Sequence, residues 1–108
     1  MVPKPRDTFT EYVEDQLSGL KGLEIRRMFG GKGLYLEENF FAILFDGKIY
    51  FKTSPANLPD YLASGSKPLV YQKKGKKTVR LKNYYEVPPH VLEDRDTLEK
   101  WAIRSASI

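Results

Sequence analysis

The chain has one histidine, His90, and no cysteine. Without a thiol there is no cysteine nucleophile, disulfide framework or cysteine-type zinc site. With one imidazole there is no histidine-cluster metal site. A Ser-His-Asp triad survives the count, but a general base needs a nucleophile and an orienting group beside it. His90 follows Pro88-Pro89 in an expected turn. Ser64-Gly65-Ser66 lacks the preceding strand and the second glycine of a nucleophile elbow. Gly30-Gly31-Lys32-Gly33 has Leu36 where a dinucleotide fingerprint counted from Gly31 needs its last glycine, and a strand follows instead of a helix. Around Gly75-Lys76-Lys77-Thr78, Val70 holds the place of the first P-loop glycine and Lys77 that of the Ser or Thr. Glu37-Glu38 and Glu93-Asp94 read as a turn and a helix start, not as a metal or glycosidase pair. The expectation is a protein that is not an enzyme and that has no catalytic, cofactor-binding or metal-binding residues.

Binding chemistry is better represented. Residues 67 to 82 hold seven basic side chains and no acid, while the rest of the chain sums to −3. The excess of positive charge in a chain of net charge +4 therefore comes from this one segment. Lys73, Lys74, Lys76, Lys77, Arg80 and Lys82 are the candidate nucleic-acid contacts, with Tyr71, Tyr84 and Tyr85 close in sequence. A cationic ribbon with aromatics lies along a phosphate backbone through counterion release and stacking. The same lysines would also serve to keep sheet edges from pairing with other chains.

The aromatics are the second resource. Seven Tyr, six Phe and Trp101 are many for one small core. Neighbouring strand residues point to opposite faces, so Phe40 and Phe41 separate, as do Tyr50 and Phe51, and Tyr84 and Tyr85. If helices cover one face only, the other keeps aromatics for a partner or a second copy.

The elements that must position these residues follow from periodicity. Residues 1–7 read as a flexible tail and 8–108 as one domain. Thr8 and Glu11 match a capping box, and Phe9, Tyr12, Val13, Leu17 and Leu20 have helical spacing, predicting a helix over about 8–18. From residue 24 the period becomes 2. Strands are expected at 24–29, 34–36, 40–45 and 48–52, with Gly30 to Gly33 as a turn or bulge and Phe40 to Phe45 central. Asp46-Gly47 predicts a two-residue hairpin. Ser54 is expected to cap a short helix, with Pro55 in its first turn and Gly65 at its end. Its apolar stripe is Leu58, Tyr61 and Leu62. Residues 68–72 and 78–82 flank the basic tip as a second hairpin, and Tyr84 to Val87 extend the return strand. A last helix is predicted over about 94–106, with Leu98, Trp101 and Ala102 inward. The order is helix, three or four antiparallel strands, helix, two-stranded hairpin, helix. That is an α+β domain with helices on one face of the sheet. The longest apolar run is Phe40 to Phe45, far below a membrane span, and Met1 to Asp7, with no apolar run after their basic residues, do not read as a signal peptide. A cytoplasmic protein is expected.

Arg27-Met28-Phe29-Gly30-Gly31-Lys32-Gly33-Leu34-Tyr35 resembles the signature of the TfoX N-terminal domain family, whose name comes from the TfoX, or Sxy, regulators of natural competence. Phe45-Asp46-Gly47-Lys48-Ile49-Tyr50-Phe51-Lys52, Lys73-Lys74-Gly75-Lys76 and Tyr84-Tyr85-Glu86-Val87-Pro88 follow in the family's order. The resemblance covers roughly residues 9 to 106. It implies a fold like that of secretion chaperones and a cytoplasmic protein linked at most to regulation of competence genes. Arg27, Met28, Phe29, Gly30, Gly31, Gly33, Asp46, Gly47, Tyr84 and Tyr85 carry the motifs. Arg27 reads as the partner of a carboxylate across the sheet or as a solvated side chain. In the full-length regulators a second, helical domain follows, so a chain ending at Ile108 reads as a stand-alone member. The resemblance supplies no catalytic residues. The expected function is a small non-enzymatic regulatory or accessory module that binds a protein partner or itself. The alternative is a factor that binds DNA or RNA, or regulates transcription, through the basic hairpin. No membrane role is expected.

Overall fold

Alternating residues between 23 and 52 build four strands in succession. β1 (Leu23–Met28), β2 (Gly31–Leu36), β3 (Asn39–Phe45) and β4 (Lys48–Lys52) form an antiparallel meander. The computed structural model describes residues 8–28, 30–72 and 77–108. Asp46 and Gly47 have φ of 52° and 72°, as the predicted hairpin turn requires. Glu37 and Glu38 turn the chain in the same way, with φ of 49° and 71°.

β5 (Pro68–Gln72) and β6 (Thr78–Glu86) complete a six-stranded antiparallel sheet in the order β1-β2-β3-β4-β6-β5. β3 lies inside it, as its two-sided apolar pattern predicts. Around the sheet stand α1 (Thr8–Gln16), α2 (Leu58–Ala63), α3 (Pro89–Leu92) and α4 (Arg95–Ala106). The class is α+β. The main core packs Val13 and Leu17 from the α1 region, Tyr61 from α2, and Leu98 and Ala102 from α4 onto Leu34, Phe41, Leu44, Ile49 and Phe51. All of these are buried. Arg95 ties α4 to α1, with its guanidinium 2.9 Å from the Asp15 carboxylate.

Four local expectations change. Gly31 and Gly33 belong to β2 and not to a turn; of that stretch only Gly30 has positive φ, 71°. Gly31 is required for another reason: a Cβ there would run into the Leu44 carbonyl oxygen of β3. The second helix begins at Leu58 rather than just after Ser54, because Asn57 closes a turn first. Its Oδ1 accepts the Ser54 N–H (2.7 Å), and its own N–H donates to the Ser54 carbonyl (3.1 Å). Leu62, expected inward, is 55% exposed, since so short a helix buries only Tyr61 fully. His90 lies in α3 and not in an open turn. Gly65 ends the second helix region with φ of 74°, as expected.

Candidate functional site

The four helices leave one sheet face to the strands. On it β2 presents Gly31, Gly33 and Tyr35; β3 presents Phe40, Ile43 and Phe45; β4 presents Lys48, Tyr50 and Lys52. The expected separation of neighbours holds. Phe41 and Phe51 pack together in the main core with ring centroids 5.5 Å apart, while Phe40 joins Tyr35 (5.1 Å) and Tyr84 (5.7 Å) on the other side. Tyr85 goes with the helices, against Tyr61.

The β5–β6 hairpin then folds over this second face. The register shifts between Pro68, opposite Tyr85, and Leu69, opposite Leu81, so β6 has an irregular stretch at Lys82–Tyr84. The Asn83 carbonyl there accepts the Thr53 N–H at 2.6 Å. Beyond the bend, Leu69 and Leu81 pack on Ile43 and Tyr50, and Tyr71 reaches Phe45 at 6.0 Å. The result is a groove of about 250 Å³ walled by Met28, Phe40, Ile43, Phe45, Leu69, Tyr71, Leu81 and Tyr84. Its walls are almost wholly apolar. None of these residues is more than partly exposed.

Charge borders the groove without entering it. The Arg26 guanidinium lies 4.2 Å over the Tyr35 ring and 3.1 Å from the Glu24 carboxylate. That carboxylate, by hydrogen bond and charge, raises the arginine pKa further. Burial raises the Tyr84 phenol, with Tyr35 adding to it. Burial also raises the Tyr50 phenol, helped by the negative charges of Glu86 and Asp46. These tyrosines therefore stay neutral and apolar in character at physiological pH.

Residues of the motifs gather at one end of the groove. Arg27, Met28, Gly30, Gly31, Asp46 and Gly47 line a neighbouring cleft of about 320 Å³ together with Lys32. Met28, Gly31 and Phe45 border both cavities. Gly33 lies under Phe40 and Met28, where a Cβ would press on both side chains. Phe29 lies outside the described residues. Arg27 pairs with no carboxylate among the described residues and its side chain is exposed; Arg26 holds Glu24 instead. Tyr84 joins the groove and Tyr85 does not.

A family model described as TfoX N-terminal domain matches residues 15–108. The chain belongs to this family. The matched stretch contains every strand and every residue that walls the groove. No curated protein shows significant sequence similarity to the chain.

Of the candidate nucleic-acid contacts, Lys73, Lys74 and Lys76 lie outside the described residues. Lys77, Arg80 and Lys82 are exposed. Arg80 turns away from the groove, and with Lys48, Lys67, Val70 and Glu86 it lines a cleft on the other side of the hairpin. Among the described residues, no three histidine, cysteine or carboxylate side chains stand close enough to hold a metal ion. No helix of the described residues is long and apolar enough to cross a membrane. Sequence reasoning missed Met28, Leu69 and Leu81 as groove walls. The alternation of Leu69 with Tyr71 was a signal, but the bend that turns them inward is not visible in the pattern.

Proposed function

We propose that the chain is a non-enzymatic interaction module, regulatory or accessory in role and cytoplasmic. It docks an apolar side chain of a protein partner, or of a second copy, in the groove of the open sheet face. The observation that carries this reading is a preformed, nearly all-apolar groove on the face that no helix of the described residues covers. Concave apolar sites with aromatic walls are the usual form of a binding pocket. No assembly of nucleophile, base and oxyanion donors competes with it among the described residues.

The test is methyl NMR with N-acetyl-phenylalanine amide as the probe. Shifts are expected at Met28, Ile43, Leu69 and Leu81, and not at Leu34 or Leu98 in the main core. Leu81→Trp fills the groove and removes them. A probe that moves no groove methyl overturns the reading. Sedimentation velocity over a concentration series then separates the occupants. A mass that rises with concentration and persists in high salt assigns the groove to a second copy, and a constant mass to a different protein.

A second reading, nucleic-acid binding, has its own observation: exposed Lys77, Arg80 and Lys82 on β6 and the approach to it, with Lys48 and Lys67 nearby. Anisotropy titrations with single- and double-stranded DNA and RNA at low and physiological salt test it. Salt-sensitive binding that is lost when Lys73, Lys74, Lys76 and Lys77 become Gln supports it.

A further inference from the structure

The two edges of the sheet are built differently. β1 carries Glu24, Arg26 and Arg27, all exposed, within six residues. Charged side chains of this kind keep an edge from pairing with foreign strands. β5 closes the other edge with Pro-Leu-Val-Tyr-Gln and has no charge at all. Among the described residues it pairs with β6 alone, and every second residue turns its N–H and C=O outward. Val70, at mid-strand, is 43% exposed.

The side chains around β5 differ between its two faces. Leu69 and Tyr71 look into the groove. Val70, with Arg80 directly opposite it on β6, looks into the cleft bordered by Lys48 and Lys67. Glu86 is the single acid in that cleft. A strand added beside β5 would alternate in the same way. Side chains on the groove side flank Leu69 and Tyr71, and those on the other side flank Val70, with Arg80 one strand further in and Lys67 at the start of β5.

We infer that β5 receives an extended segment of a partner protein as a seventh strand, and that this segment alternates apolar with acidic side chains. Main-chain hydrogen bonds supply the binding, and the alternation supplies the choice of partner. The inference rests on the groove reading, because the apolar side chains of the segment are the ones that enter or flank the groove. A second copy fits this edge poorly. Pairing two β5 strands would bring together two segments that each hold seven basic residues and no acid, and like charges brought together oppose association.

A short acetylated peptide alternating glutamate with valine or leucine is the probe, read by fluorescence anisotropy. It binds, and its glutamine counterpart binds about ten-fold more weakly, as loss of charge-assisted contacts implies. Arg80→Glu weakens the glutamate peptide by a similar factor, and circular dichroism checks that this exposed variant folds. Two N-methylated peptides, blocked on odd or on even residues, decide the geometry. One loses binding and the other keeps it, because only alternate amides face β5. Equal binding by both overturns strand addition, as does a lysine peptide that binds as well as the glutamate one. So does an oligonucleotide that displaces the peptide while both N-methylated forms bind alike, which would make the face a polyanion site. If no peptide binds while the groove methyls still answer N-acetyl-phenylalanine amide, this inference falls and the groove reading stands. If the methyls are silent too, both fall.

Discussion

The two faces of the sheet are made from the same strands and end in opposite conditions. On the helix side, Phe41, Phe51, Leu34 and Leu98 are fully buried beneath α1, α2 and α4. On the other side, Phe40, Phe45, Tyr71 and Tyr84 are covered only by one another and by the bent hairpin, and they stay partly exposed around a groove. One face closes into a core, and the other stops short of closing. The difference lies in what covers each face. Helices bring side chains long enough to interlock with the sheet, whereas the hairpin adds Leu69, Tyr71 and Leu81 from one side and leaves a gap in the middle.

The sharpest way to break the comparison is to remove one ring from each face. Phe51→Ala empties a closed core and should cost about 3–5 kcal/mol in urea unfolding. Phe45→Ala, at the groove, should cost about half as much, because part of its surface is already in water. Equal losses would show that the open face is as closed as the other.

The next largest effect is alkaline. Burial pushes the Tyr61 phenol up to about 12, while nearby Ser105 and Arg104 act the other way. In the unfolded chain the phenol titrates near 10, so the folded state holds its proton longer. The stabilisation is whole below about pH 10 and is lost as the pH rises through about 12, amounting to about 2–3 kcal/mol. Urea midpoints measured between those values should fall, with a shallower slope in Tyr61→Phe. At neutral pH that variant should be as stable as the parent or slightly more so. The buried Tyr61 Oη makes no hydrogen bond, and the Ser105 hydroxyl donates to the Lys52 carbonyl.

Smaller again is a contrast between two glycines of β2. Gly31→Ala sets a Cβ against the Leu44 backbone and should cost about 2–3 kcal/mol. Gly33→Ala presses on the Phe40 ring (2.9 Å) and Met28 sulfur (3.1 Å). Both are side chains on the open face with room to move, so the cost should be about 1 kcal/mol. Thermal melts of the pair would show whether the groove side chains yield where the backbone of a neighbouring strand does not. The smallest effect is at the surface. Arg104→Gln removes an ion pair with Asp60 at 2.9 Å, about half exposed on both sides, and should change stability by less than about 1 kcal/mol.

Much of the fold was legible in the sequence. Asp46-Gly47 announces its turn because so few residues accept positive φ twice in succession. The run from Phe40 to Phe45 announces an interior strand because only a strand covered on both faces is apolar on both. Ser54 misled, because Asn57 satisfies the local backbone and delays the helix. Gly31 and Gly33 misled in another way: glycine signals a turn or a close approach, and the residue type alone does not say which.

The candidate site was legible only as ingredients. Alternation determined which aromatics leave the main core, and composition determined that the positive charge sits in residues 67–82. Tertiary structure decided that Leu69, Tyr71 and Leu81 turn onto the second face, that Arg80 turns away from it, and that Arg27, Met28, Gly30 and Gly31 meet Asp46 and Gly47 at one end of the groove. The reason is geometric. Period-2 alternation sorts side chains within a regular strand, but an irregular stretch such as Lys82–Tyr84 resets the sorting, and its position depends on pairing between strands far apart in the chain.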